Sequence, residues 1–207
     1  MAVKKPTIEQ LKKIAEEFNL TLTTDELSSY QKLMEGTLES YNRLNQLVEP
    51  SLPVKYPRTP GYRPSVEENP YNAWYWKTSI KGNSNGKLAG KTIVLKDNIS
   101  LAGVPMMNGS AILEGFVPDE DATIVTRILD AGGEIVGKAV CEDLCLSGGS
   151  HTSASGPVLN PHDPTRSSGG SSSGCAVLVA TGEVDMAIGV TKEDLFGCLA
   201  VGPVYTV

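Results

Sequence analysis

Arg166-Ser-Ser-Gly-Gly-Ser-Ser-Ser-Gly174, running straight into Cys175-Ala-Val-Leu-Val-Ala-Thr181, is the stretch that decides how this chain folds. The glycines and serines give way to an apolar run with no polar face, which predicts a buried helix entered through a Gly-rich loop. Such a loop exposes backbone N–H groups that bind an anion or an oxyanion, and its serines add hydroxyls. A flexible linker has the same composition, but linkers do not usually stand between a strand pattern and a buried helix. No Gly-Lys-Ser/Thr closes the run, which disfavours a P-loop, and the glycine spacing of a dinucleotide fingerprint is absent. A serine-based active site therefore stays among the readings. A second such stretch, Ser147-Gly-Gly-Ser-His-Thr-Ser-Ala-Ser-Gly156, lies upstream.

Outward from these loops the chain alternates strand and helix. Lys91-Thr-Ile-Val-Leu-Lys96 predicts a strand, Asp121 to Ala131 a helix stopped by Gly132-Gly133, and Glu134-Ile-Val-Gly-Lys138 the next strand, a βαβ-like unit. Val184 to Ile188 predicts a last strand, so the body is α/β. Residues 50–86 are different: six of the thirteen prolines (Pro50, Pro53, Pro57, Pro60, Pro64, Pro70) predict an extended connector. Tyr71, Trp74, Tyr75 and Trp76 anchor that connector to the body or line a pocket. Residues 1–49 predict two amphipathic helices. Thr7 with Gln10 and Thr23 with Glu26 supply capping boxes. Leu27, Tyr30, Met34, Leu38, Tyr41, Leu44 and Val48 continue one apolar face, which must pack on the body or on a second copy of the chain.

The 207 residues carry a net charge of −6, which argues against a nucleic-acid footprint built on Lys/Arg excess. No apolar run is long enough to span a membrane, and the N-terminus lacks the apolar core of a signal peptide. Cys141, Cys145, Cys175 and Cys198 without a signal peptide fit a reducing cytoplasm, and their spacing makes a metal site improbable. A serine nucleophile needs a base. His151 and His162 are the two histidines, and a triad through Asp163 is conceivable, although a loop His before Asp-Pro reads as a turn. Lys96, at a strand end, is the other option if it is buried.

Leu88-Ala-Gly-Lys-Thr-Ile-Val-Leu-Lys-Asp-Asn98, Ser147 to Pro157 and Arg166 to Gly174 together resemble the amidase-signature family, over roughly Lys87 to Gly189. The helical N-terminus and Pro-rich connector are similar to those of bacterial-type enantioselective amidases within it. The resemblance implies an α/β amidase-signature fold fragment, with a mixed central sheet flanked by helices and a helical N-terminal appendage. It divides the chain into the appendage (1–49), the connector (50–86), the N-terminal part of the amidase-signature domain (87–189) and an aberrant tail (190–207). It also implies hydrolysis of a small-molecule carboxylic amide, without metal or organic cofactor, by a Ser–cis-Ser–Lys triad. Lys96 is then the catalytic lysine, acting as base in its neutral form. Ser171 is the bridging serine, preceded by a cis peptide bond. Dimerisation is left open.

The family nucleophile, from a Gly-Gly-Ser-Ile-Arg-like motif whose glycines also serve the oxyanion, falls on Leu195. Cys198 is the nearest thiol and is displaced too far for a site that needs sub-ångström placement. Read one base earlier, with the CTN choice for leucine, the codons of Lys192-Glu193-Asp194-Leu195 allow only Gly or Arg, Gly or Arg, and Ser or Pro. Val204 to Val207 can yield Gly-Val-Tyr-Gly in the same frame under an allowed choice of third bases. The tail from Val190 thus reads as the family core out of frame, and the chain as written is expected to be inactive. The alternatives are a truncated, non-catalytic interaction protein, or an unrelated Ser/Gly-loop binding protein.

Overall fold

The computed structural model describes residues 3–47 and 52–190, and the chain divides into two compact units, Met1–Ser51 and Leu52–Val207. In the first unit, α1 (Ile8–Glu17) and α2 (Thr24–Leu33) each start on the expected capping box, with Thr7 and Thr23 as N-caps. The second expected helix is not continuous. It breaks at Met34, and α3 (Glu35–Leu44) follows. Gly36 has nothing within 4 Å of where a side chain would begin, so packing does not offset the helix propensity a glycine forfeits, about 1 kcal/mol. Leu11, Ala15 and Leu27 are buried, whereas Tyr30, Tyr41 and Leu44 of the predicted apolar face are exposed. Val48 lies outside the described residues.

The second unit is built on β2 (Thr92–Lys96) and β3 (Glu134–Ala139), parallel and joined through α4 (Thr123–Asp130), as the sequence predicts. β1 (Trp74–Lys81) pairs antiparallel with β3, and β6 (Met186–Ile188) pairs parallel with β2. The order β1-β3-β2-β6 makes a mixed sheet. β1 lies inside the stretch expected to be wholly connector. The connector is anchored along it: Tyr62 exchanges backbone hydrogen bonds with Lys77, and Trp76 Nε1 donates to the Pro60 carbonyl at 2.7 Å. Two more short strands, β4 (Leu159–Asn160) and β5 (Asp163–Ser167), form a hairpin between the Ser/Gly segments.

β2 is apolar at consecutive positions because it is covered on both faces. Ile93 and Leu95 pack with Val125, Ile128 and Leu129 of α4. Val94 faces the other way, with Val177 and Leu178 of α5 (Ser173–Ala180). The register of β2 against β3 slips between Ile93 and Val94, leaving Val136 as an extra residue. This bulge needs a glycine: a Cβ on Gly137 would lie 2.3 Å from the Trp76 carbonyl oxygen. Past the bulge, Leu95 lies beside Lys138 and Lys96 beside Ala139. Alternation therefore puts Lys138 on the α4 face and Lys96 on the α5 face.

Candidate active site

Lys96 ends β2 with 0% exposure, and its amine is directed at the loop that opens α5. Nζ donates to Ser171 Oγ at 2.7 Å and to the Val190 carbonyl at 2.6 Å. Ser171 is 2% exposed and follows a cis Gly170–Ser171 peptide bond. Both residues singled out from the sequence thus meet in one buried hydrogen bond. Each is fixed locally, Lys96 by a strand buried on both faces and Ser171 by the Gly-rich turn into a buried helix. The chain leaving β6 passes close by: a Cβ on Gly189 would lie 3.0 Å from Ser172 Oγ.

Sequence reasoning did not single out the charged groups around this pair. Asp97 is 1% exposed and accepts hydrogen bonds from Lys138 Nζ at 3.0 Å and from the backbone N–H groups of Met107 and Asn108. Burial pushes the Asp97 carboxyl up, against the pull of Lys138 and the two N–H groups. Of the two lysines buried among the described residues, Lys138 is thus paired with a carboxylate, while Lys96 meets a hydroxyl and a carbonyl. The signal for Lys138 was a lysine inside an otherwise apolar strand. Glu142 was missed as well. It is 0% exposed, and its carboxylate accepts from the backbone of His151 and Thr152.

The other sequence candidates are not brought to Lys96. His151 and His162 are both exposed. His162 N–H donates to Asn160 Oδ1 in the β4–β5 turn. Asp163 accepts from Thr165 and Arg166, which hold its carboxyl below the usual range. A Ser-His-Asp arrangement is therefore not assembled from these groups. The neighbouring Cys145 thiol, then burial, push Cys141 far up, and burial pushes Cys175 up to about 12, so neither offers a thiolate. Leu195 and Cys198 lie outside the described residues. A surface cavity of about 360 Å³ is lined by Tyr62, Trp74, Lys77 and Glu183 among others, and includes neither Lys96 nor Ser171.

A buried lysine hydrogen-bonded to a serine can move a proton between that serine and a third group. The chain is 46% identical to the enantioselective amidase of Rhodococcus rhodochrous, over 89% of its own length and 36% of that protein's. It is also 46% identical to a Glutamyl-tRNA(Gln) amidotransferase subunit of Haloarcula marismortui, over 63% of this chain and 31% of that one. Among solved structures, the corresponding Glutamyl-tRNA(Gln) amidotransferase subunit of Thermotoga maritima superposes with a TM-score of 0.50 at 28% identity, over 89% of this chain and 34% of that one. The chain thus spans about a third of the length of the relatives it matches. The α/β mixed sheet is a fragment of the amidase-signature fold. The model of the Amidase family matches residues 63–190, and the chain belongs to that family.

Proposed function

We propose that the protein is, by family, a hydrolase of small carboxylic amides acting through Lys96, Ser171 and a serine at the position Leu195 holds here, and that the chain as written is catalytically silent. The observation that carries the reading is the buried 2.7 Å hydrogen bond between Lys96 Nζ and Ser171 Oγ. The third serine attacks the amide carbonyl while Ser171 relays its proton to the neutral Lys96 amine. The same relay returns the proton to the departing ammonia or amine, and water then releases the acid from the acyl-enzyme. No metal or organic cofactor takes part in these steps. A leucine side chain has neither a nucleophilic atom nor a proton to give, so the relay has nothing to serve at position 195.

The substrate class is supported by the longer match to the enantioselective amidase, 89% of the chain against 63% for the Haloarcula amidotransferase protein. The net charge of −6 supports a partner other than nucleic acid. Among the described residues no helix is long and apolar enough to cross a membrane. A cytoplasmic location goes with this reading, supported by the thiol state of Cys141 and Cys175.

Purified 1–207 protein, assayed on small aromatic and aliphatic amides, is expected to release no ammonia or amine. Turnover that Ser171→Ala abolishes would refute the silence. Reading the tail in the alternative frame and supplying the downstream family core is expected to create amidase activity. Lys96→Ala should abolish that activity, and Ser171→Ala should lower kcat on the order of 10²–10⁴. Activity that survives Lys96→Ala but is lost in His151→Ala or His162→Ala overturns the triad. Leu195 itself favours a second reading, a non-catalytic interaction protein. Sequencing the transcript across the codons of Gly189 and Val190 separates the two.

A further inference from the structure

Glu142 lies three residues past the end of β3, and it touches both Ser/Gly segments at once. Its backbone N–H donates to the Ser171 carbonyl at 3.2 Å. Its side-chain stem lies against Gly170, where a Cβ would come within 2.8 Å of Glu142 Cγ and 3.1 Å of the Ser147 carbonyl oxygen. Its Oε2 accepts from His151 N–H at 3.3 Å, from Thr152 N–H at 3.1 Å and from the Thr152 hydroxyl. Oε1 is buried with no partner among the described residues. A carboxylate oxygen left so is retained where the remaining contacts of the group outweigh its desolvation. Those contacts all go to the segment carrying Ser171 and to the loop lying over it.

We propose that Glu142 is the positioning residue of this site: by clamping the 147–152 segment over Gly170, it holds Ser171 within hydrogen-bond reach of Lys96. The proposal rests on the assignment of Lys96 and Ser171 above, but concerns where Ser171 sits and not whether an amide is cleaved. Geometry carries it. Glu142 meets Ser171 through the backbone, the residue before it through the stem and the covering loop through the carboxylate. Loss of the side chain leaves two loop N–H groups and a hydroxyl without an acceptor and opens a gap beside Gly170. Glutamine keeps the stem and one acceptor oxygen.

The test uses the full chain uniformly labelled with 15N, as the parent protein and as Glu142→Gln, Glu142→Ala and Thr152→Val. Two readouts are followed by NMR: amide exchange at residues 151 and 152, and the Lys96 Nζ resonance. Glu142→Ala is expected to speed exchange of both amides at least 100-fold and to displace the Lys96 resonance. Glu142→Gln is expected to restore the parent resonance. Should Glu142→Ala fail to fold, Thr152→Val, which removes one hydroxyl donor, is expected to shift the Lys96 resonance in the same direction by a smaller amount. The proposal is overturned if the amides are released while the Lys96 resonance stays unchanged. It is also overturned if glutamine displaces that resonance as far as alanine does, or if Thr152→Val leaves it in place. None of these readouts depends on turnover, so failure of the amidase reading shows in the activity assay alone.

Discussion

Replacing Lys138 with methionine isolates the cost of the ion pair under the sheet. Lys138 and Asp97 are 0% and 1% exposed and meet at 3.0 Å, and the other oxygen of Asp97 holds the backbone of Met107 and Asn108. Methionine fills most of the lysine volume, so little cavity is added. What remains is a buried carboxylate with two N–H donors and no counter-charge. Breaking a buried pair from one side costs about 3–5 kcal/mol. At about 2–4 °C per kcal/mol for a domain of this size, the melting temperature should fall by roughly 10 °C. The loss also has a pH signature. Burial already pushes the Asp97 carboxyl up, and removing Lys138 pushes it further. A carboxyl raised in the folded state binds its proton more tightly there than in the unfolded chain, so its contribution to stability declines as pH rises. The deficit of Lys138→Met should therefore be largest above neutral pH and shrink as pH falls through the raised value. Urea unfolding of parent and variant between about pH 5 and 8, followed by circular dichroism, measures it. A variant as stable as the parent throughout, or a deficit that grows on acidification, would refute the reasoning.

Gly170→Ala should destabilise the second unit by about 1–3 kcal/mol in the same urea assay, since its Cβ would lie 2.8 Å from Glu142 Cγ in a buried site; an unchanged midpoint would show that the loop gives way freely. The Asp185 carboxyl is held well below the usual range, first by the Thr92 N–H and then by the Lys91 amine. Its stabilisation is present above the ordinary carboxylate value and is lost as pH falls below it, so Asp185→Asn should flatten the acid side of the stability profile below about pH 4. An unaltered acid slope would remove Asp185 from the account.

The elements that were legible in the sequence are those whose pattern is local and clean. β2 reads as a continuous apolar run because it is covered on both faces, and α4 carries both its apolar face and its Gly132-Gly133 stop. β1 was hidden because its pairing with β3 is irregular in two places, between Trp74 and Trp76 and between Lys77 and Ile80, which breaks the two-residue alternation. The prolines before it also drew the connector too far. Lys96 was visible as a strand-end lysine, but its pairing with Ser171 came from the family resemblance. No spacing rule joins two residues this far apart in the chain. Lys138 and Glu142 gave weak signals for a related reason. A lone charged residue in or just beyond a strand usually reads as solvated, and only tertiary burial changes its meaning.

The extra residue at Val136 works as a phase shift in the sheet. Along a regular strand, Lys138 would emerge on the side where Lys96 meets Ser171, and two amines would crowd one hydroxyl. Absorbing one residue in the bulge turns the second lysine through the sheet, where Asp97 neutralises it. The backbone layer then acts as a partition between the Lys138–Asp97 charge pair and the Lys96–Ser171 hydrogen bond. Parity, more than distance, separates the two amines: straightening the bulge with every residue of β3 retained would bring Lys138 beside Lys96, in one compartment.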